Sequence, residues 1–394
     1  MKEGDPRAAA TDVVHLGRDP RRHEGAVNTP VYRASTILFP TVADLEAASR
    51  GEYDGLSYGL HGLPTVTDLQ SSIARLEGAY AGLAVPSGLA ATTLPLMALL
   101  SAGDHVLVVD SVYGPTRRFC DNHLRRQGIE VSYYAPAEGA GIERLFRSKT
   151  RVVFAESPGS LTFEIQDIPA IVAACNARGI KLVLDNTWAT PLGFRGGDFG
   201  VHVTVHAATK YIGGHSDVLL GVIVADAATF PALHRLWTDV GVTASTDDAF
   251  LGLRGLRTLA VRLAQHQRSA LTVASWLQQR AEVDEVLYPA LPGARGHELW
   301  KRDFKAASGL FGIILKPVRS EAVAAMLDGM QLFRMGWSWG GFESLMIPTY
   351  PERLRSVTPW QATGPTLRVH IGLEDVNDLL ADLDAGFSRL AAAS

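Results

Sequence analysis

The stretch His206-Ala-Ala-Thr-Lys-Tyr-Ile-Gly-Gly-His-Ser-Asp217 sets one lysine, Lys210, just beyond a short apolar run, Val201 to Val205. A glycine pair follows and forces a turn. Lys210 thus falls at a predicted strand end, where an α/β sheet puts its chemistry. Upstream, a second strand-like run, Ile180 to Leu184, leads into Asp185-Asn-Thr-Trp188. If the two strands are parallel neighbours, both deliver their polar residue to one sheet edge. A lone lysine beside a turn is ordinarily solvated decoration, and a lone aspartate after a strand is ordinarily a cap or turn residue. Paired at adjacent strand ends, they suggest a site for pyridoxal 5'-phosphate (PLP). The amine would form a Schiff base with the cofactor and the carboxylate would pair with its pyridinium nitrogen.

Other strand ends add to the pattern. Pro86-Ser-Gly-Leu89 lies between a strand and a helix, where free main-chain N–H groups and the helix dipole can hold a phosphate, and Gly88 permits close approach. Tyr113, in Asp110-Ser-Val-Tyr-Gly114, offers an aromatic face that can stack on a flat ring. Glu156-Ser-Pro-Gly-Ser160 is a third polar turn after a strand. A Gly-x-Gly-x-x-Gly turn in a nicotinamide-binding context is absent. In the C-terminal half, Trp337-Ser-Trp-Gly-Gly-Phe342 is a dense aromatic and glycine loop. Arg368 lies inside the apolar run Thr366-Leu-Arg-Val-His-Ile371. A buried arginine needs an anion, because its charge cannot be removed. A substrate carboxylate would serve through a bidentate pair; a structural salt bridge is the alternative.

The elements that must position these groups are legible from periodicity. Helices are predicted at 65–77, 89–101, 116–127 and 168–178. Strands are predicted at 83–86, 105–109, 129–134, 151–155, 180–184, 202–206 and 219–224. The alternation implies an α/β domain built on a mostly parallel seven-stranded sheet. Beyond residue 230 one long helix is predicted over 248–280, then strands near 283–288, 310–315, 345–347 and 367–371, and a final amphipathic helix from Val376 to Leu390. This reads as a smaller α+β domain. Residues 1–57 read as an extended arm with one helix near Val42 to Arg50 and no core of its own. Its Val31–Phe39 run needs a covering surface from its own body or from a neighbouring subunit. The expected organisation is an arm over 1–57, a cofactor-binding domain over 58–247 and a C-terminal domain over 248–394.

The 394 residues are 47% hydrophobic and 20% charged with a net charge of −4, the balance of a globular enzyme without the basic excess of a nucleic-acid binder. Two cysteines, Cys120 and Cys175, lack metal-ligand spacing and fit a reducing compartment, so no metal is expected. The first residues, Met1-Lys-Glu-Gly-Asp-Pro-Arg, lack the apolar core of a signal peptide, which makes a cytoplasmic location the expectation. Gly78 to Gly103 carries no charge and is long enough to span a bilayer, but Pro86-Ser-Gly and Pro95 divide it. It reads as buried strand, turn and helix, with no membrane partner.

With these residues assembled, the sequence resembles the Cys/Met-metabolism family of fold-type-I PLP enzymes, over almost its whole length. Ala208-Thr-Lys-Tyr211 matches that family's cofactor-lysine motif and Asp185-Asn-Thr its cofactor-nitrogen motif. Glu156-Ser-Pro-Gly-Ser, Asp185-Asn-Thr-Trp, Ser338-Trp-Gly-Gly and Trp300-Lys-Arg-Asp-Phe resemble its β-eliminating members more than its γ-specific ones. The resemblance implies an aspartate aminotransferase-like fold and a carbon–sulfur β-lyase that splits cystathionine into homocysteine, pyruvate and ammonia. It implies that Lys210 carries the cofactor and then acts as base at Cα, that Asp185 pairs with the pyridine nitrogen, and that Tyr113 stacks on the ring. Gly88, Leu89 and Thr209 would hold the phosphate, while Arg368, Ser338 and Trp339, with Tyr113, would hold the substrate. Tyr58 would reach the phosphate of a neighbouring subunit, so that sites are shared across dimers within a homotetramer. The family's usual Tyr-x-Arg is here Tyr58-Gly-Leu60, which removes a charge-assisted phosphate contact of about 1.5–3 kcal/mol.

Overall fold

The computed structural model describes residues 8–394; residues 1–7, read above for a signal peptide, lie outside the described residues. Strands β1 (Ala81–Val85), β2 (His105–Val109), β3 (Glu130–Tyr134), β4 (Thr150–Glu156), β5 (Lys181–Asp185), β6 (Val203–His206) and β7 (Gly221–Ala225) form one seven-stranded sheet. Its order is β1-β7-β6-β5-β4-β2-β3. Only β7 runs against its neighbours, pairing antiparallel with β1 and β6, and the other pairings are parallel. The first six strands therefore point one way and share a C-terminal edge. Their apolar runs are buried on both faces, as a covered parallel sheet demands. Alternate residues divide between two cores: Leu83, Val85 and Ile223 pack in one, Ala84, Val222 and Val224 in the other.

Two helices matter most to the edge. Helix Pro64–Glu77 starts with proline and ends at Gly78, whose φ of 70° supplies the left-handed cap. It buries Leu69, Ile73 and Leu76, each stabilising by about 1.5–3 kcal/mol. Helix Gly88–Leu99 is capped by Ser87, whose Oγ accepts from Ala90 N at 3.1 Å. Pro95 lies within it. Among the described residues no helix is long and apolar enough to cross a membrane.

A smaller antiparallel sheet follows, ordered β10-β11-β9-β8, from β8 (Val283–Leu287), β9 (Leu310–Leu315), β10 (Leu345–Thr349) and β11 (Thr366–His370). The α/β expectation holds, and the expected strands lie within a few residues of those observed.

Three features differ. The helix expected over 248–280 is two, Thr246–Arg257 and Leu259–Leu277. Gly255 lies so close to the chain after Lys210 that a Cβ there would meet the carbonyl oxygens of Ile212 and Gly213 at 2.3 and 2.2 Å. The apolar period runs unbroken through the joint and so conceals it. The arm is not coreless at its start: helix Ala9–His15 buries Val13, and Arg257 donates to the carbonyls of Val13, Leu16 and Gly17. That helix is too short to show a period. Helices Phe230–Val240, His297–Asp303 and Ser320–Asp328 are further elements beyond those expected.

Candidate active site

Strands β5 and β6 are parallel neighbours, with Asp185 in register with Val205, so Asp185 and the turn carrying Lys210 meet at the C-terminal edge. Asp185 is buried, and both of its hydrogen bonds fall on Oδ1, from Thr187 N at 3.0 Å and Thr187 Oγ1 at 2.5 Å. Oδ2 is left for a ligand. Burial pushes the Asp185 carboxyl up, against the opposing pull of the Thr187 bonds, His206 and Lys210. A cationic partner at Oδ2 would relieve that cost.

Lys210 is largely enclosed. Its Nζ donates to Ser338 Oγ at 2.6 Å and stands 5.1 Å from the centre of the Trp339 ring. Burial, helped by the Arg368 charge, lowers its pKa to about 8, with Asp185 pulling the other way. A lysine so placed gives up its proton far more readily than a solvated one.

Arg368, buried on β11, donates through Nη2 to the carbonyls of Gly336 at 3.0 Å and Ser338 at 2.8 Å. Its Nε is buried without a partner, and no carboxylate of the described residues pairs with it. The structural salt bridge left open by the sequence is not there. An unpaired buried guanidinium calls for an anion.

Loop 336–343 brings Ser338 and Trp339 to Lys210. Ser338 takes a φ of 75° and Gly340 one of 86°. A Cβ at Gly340 would meet Tyr211 N at 2.8 Å and Lys210 Cα at 3.0 Å, so the loop lies directly on the lysine backbone. His370, buried two residues beyond Arg368, accepts from Gly340 N at 3.0 Å and donates from Nδ1 to Glu343 O at 3.1 Å. This requires the neutral ring, and burial drives its pKa well down.

Tyr113 is 46% exposed, with its N–H donating to Glu156 Oε2 at 2.7 Å. Burial raises its hydroxyl pKa, helped by Glu156 and Asp185 and opposed by Arg118 and Arg368. Burial also pushes Glu156 well up, with Asp185 adding to it. At the first turn of helix Gly88–Leu99, the amides of Gly88 and Leu89 carry no hydrogen bond within the described residues. A Cβ at Gly88 would meet Ala207 Cβ at 2.4 Å, which fits the helix start against the Lys210 turn. Of the residues expected at the site, the structure brings Lys210, Ser338, Trp339 and Arg368 together and sets Gly88 against Ala207 of the Lys210 turn.

Thr209 stands differently from expectation. Its N–H and hydroxyl both bond to Leu220 O, at 3.0 and 3.2 Å, and Leu220 N donates back to Oγ1 at 2.9 Å. Both donors are committed to the β7 approach and must be shared with any phosphate. Tyr58 lies at the surface, 47% exposed, near its own His61 at 5.9 Å between ring centres. His61 in turn faces Ser57.

Three positioning residues escaped the sequence reading. Thr187 clips Asp185 to the next turn, donating to Oδ1 and accepting from Ala207 N at 2.8 Å; its place in Asp185-Asn-Thr was the available signal. His370 and Asp110 left none, because their partners are distant in sequence. Asp110 accepts from the amides of Ser356, Val357 and Thr358 at 2.9 to 3.1 Å and pairs with Arg117. Burial alone would raise its carboxyl, but those amides hold it below its usual range.

The arrangement fits PLP by the chemistry of its donors: a readily deprotonated lysine, a carboxylate oxygen without a partner, free amides at a helix start, and a tyrosine face. Comparisons agree. The family model described as Cys/Met metabolism PLP-dependent enzyme matches residues 10–388. The chain is 42% identical over 387 residues to the cystathionine β-lyase of Escherichia coli K12, covering 96% of this chain and 98% of that protein. It is 42% identical over 390 residues to an L-alanine/L-glutamate racemase of Wolbachia pipientis wMel, covering 96% of each. The crystal structure of cystathionine γ-synthase from Xanthomonas oryzae pv. oryzae in complex with cystathionine matches with a TM-score of 0.89 at 32% identity, over 99% of this chain and 100% of that one.

Proposed function

The chain belongs to the Cys/Met metabolism family of PLP-dependent enzymes, and from that premise we propose that it is a carbon–sulfur β-lyase converting cystathionine and water to homocysteine, pyruvate and ammonia. One observation carries the mechanism: Lys210 Nζ is held 2.6 Å from Ser338 Oγ, on the loop whose carbonyls Arg368 grips. A base and a carboxylate receptor are thereby fixed to one element. Identity of 42% with a β-lyase against 32% with a γ-synthase favours β-elimination.

Lys210, Asp185, Tyr113, Gly88, Leu89 and Thr209 would hold the cofactor, with Tyr58 contributing from a neighbouring subunit. Bound PLP supplies an electron sink for negative charge developing at the substrate Cα. Arg368 takes the substrate carboxylate through Nε and its open Nη1, with Ser338 and Trp339 completing the receptor. This fixes the Cα–H bond toward Lys210 Nζ, whose depressed pKa lets it accept that proton near neutral pH. Thr187 donates twice to Asp185 Oδ1, which opposes the upward push of burial on that carboxyl and favours its charged form. Tyr113, anchored through its amide to Glu156, would stack on the cofactor ring.

A homotetramer with shared sites, in the cytoplasm, belongs to the same proposal. A cavity of 550 Å³ opens between Thr209, Ser338 and Trp339, with Leu219 and Trp337 in its wall. Both are exposed. So much uncovered apolar surface beside a site supports cover by a second copy.

The racemase relative supports a second reading, in which the proton taken from Cα is returned to the opposite face. Product analysis separates the two. With cystathionine, pyruvate and homocysteine are expected. 2-Oxobutyrate would overturn β-specificity, and D-alanine from L-alanine without pyruvate from cystathionine would favour the racemase.

A further inference from the structure

Behind the sheet edge lies a polar cluster that none of the proposed substrate or cofactor contacts involves. Glu77, the last residue of helix Pro64–Glu77, is completely buried, as is Asn186, and His206 is 1% exposed. Glu77 Oε1 lies 2.7 Å from His206 Nε2 and accepts from Asn186 Nδ2 at 2.7 Å; Oε2 accepts from Gly196 N at 2.7 Å. Since both Glu77 oxygens are acceptors, the hydrogen shared with His206 sits on Nε2. Asn186 also donates to Phe194 O at 2.7 Å.

The sequence positions give the cluster its meaning. Asn186 directly follows Asp185, and His206 ends β6, four residues before Lys210. Glu77 therefore grips the root of both turns at once. A buried polar cluster contributes little net stability compared with packed apolar residues of the same size. Its worth here lies in where it sits. We propose that Glu77, His206 and Asn186 form a positioning unit that fixes the turns bearing Asp185 and Lys210 and orients both side chains toward the cofactor. This rests on the assignment of those two residues to PLP.

Three further observations point the same way. The turns are tied a second time on the ligand side, where Thr187 joins Asp185 Oδ1 to Ala207 N and Asn186 N donates to Val205 O at 3.0 Å. His206 Nδ1 is buried with no partner among the described residues, so Glu77 is the ring's one anchor. Gly196, the third donor to Glu77, packs against β6 itself, since a Cβ there would meet Thr204 Oγ1 at 2.5 Å.

The test uses Glu77→Gln in the full-length protein. Glutamine keeps the size, but its N–H₂ must face His206, Asn186 or Gly196, all of them donors. The readouts are PLP retained on dialysis, the gain in melting temperature when PLP is added to the apo form, and kcat and KM. Wild type must first show a visible PLP band and a gain on loading; its failure to do so would overturn the site assignment and this unit with it. Given that band, the variant is expected to lose cofactor about tenfold more readily. It should also show a smaller gain and a kcat about tenfold lower, with KM within about twofold, because Arg368 and its loop are untouched. An equal drop in the melting temperatures of the apo and holo forms, with retention and kcat per bound cofactor unchanged, would show a merely structural role and overturn the proposal. Should Glu77→Gln not accumulate in folded form, His206→Gln is measured by the same readouts, with the same losses expected and the same equal drop overturning the proposal.

Discussion

In the proposed reaction the chemistry turns on Lys210, and its behaviour follows from enclosure more than from any single neighbour. Burial and Arg368 bring its pKa to about 8, despite Asp185. Only the neutral amine can attack the cofactor carbonyl. Below that pH the neutral fraction grows about tenfold per unit, and above it the fraction saturates. The apo protein should therefore take up PLP with a rate that climbs through neutrality and levels off near pH 8 to 9, read from the visible band in stopped flow. A rate still climbing at pH 10 would mean a lysine with its ordinary pKa. Lys210, Asp185 and Arg368 were legible in the sequence because each is polar and stands at the end of, or inside, an apolar run, where burial makes charge conspicuous. Thr209 was legible as a member of the motif, but not in its bonding: its partner, Leu220, lies across a turn whose geometry no local pattern encodes. Thr187 and His370 are ordinary by type and acquire their roles only from what the fold brings to them.

Among the elements, loop 336–343 has the most exacting task, since it must set a hydroxyl against Lys210 while offering carbonyls to Arg368. Gly340 makes this possible. Its φ of 86° and its contact with the Lys210 backbone leave no room for a side chain. Gly340→Ala should cost about 1–3 kcal/mol in strain and lift Ser338 from the lysine. kcat/KM should then fall at least about tenfold, with PLP still bound through helix Gly88–Leu99. Unchanged kinetics would mean that the loop tolerates displacement. The density of aromatic and glycine residues marked this stretch in the sequence as a functional loop. What holds it down, the neutral His370 ring between Gly340 N and Glu343 O, belongs to a strand and reads as part of an apolar run. The same limit explains the joint at Thr258: the apolar period of the two helices is continuous although the helices are not.

Across the whole molecule, the large sheet contributes the cofactor edge and the small sheet contributes Arg368, so the site exists only while the two stay in register. Asp110 is the main polar tie, binding segment 356–358 to the strand end that leads to Tyr113. Asp110→Asn removes an acceptor from that cluster and leaves Arg117 buried without its counter-charge. It should lower stability by about 3 kcal/mol or more, seen as a lower melting temperature, and should raise KM more than it lowers PLP retention. A variant with wild-type melting and KM would place the tie elsewhere. Sheet class and strand order along the chain were legible from alternation alone. The placement of the antiparallel β7 between β1 and β6 was not, because an apolar strand reads the same in either direction. That this edge holds PLP on Lys210 opposite Asp185 can be checked by reducing the purified protein with borohydride and locating the pyridoxyl group by peptide mass mapping. A single labelled peptide carrying the modification at Lys210 is the expected result. Label on another lysine, or a Lys210 peptide without the modification in protein that shows the visible band, would refute the assignment.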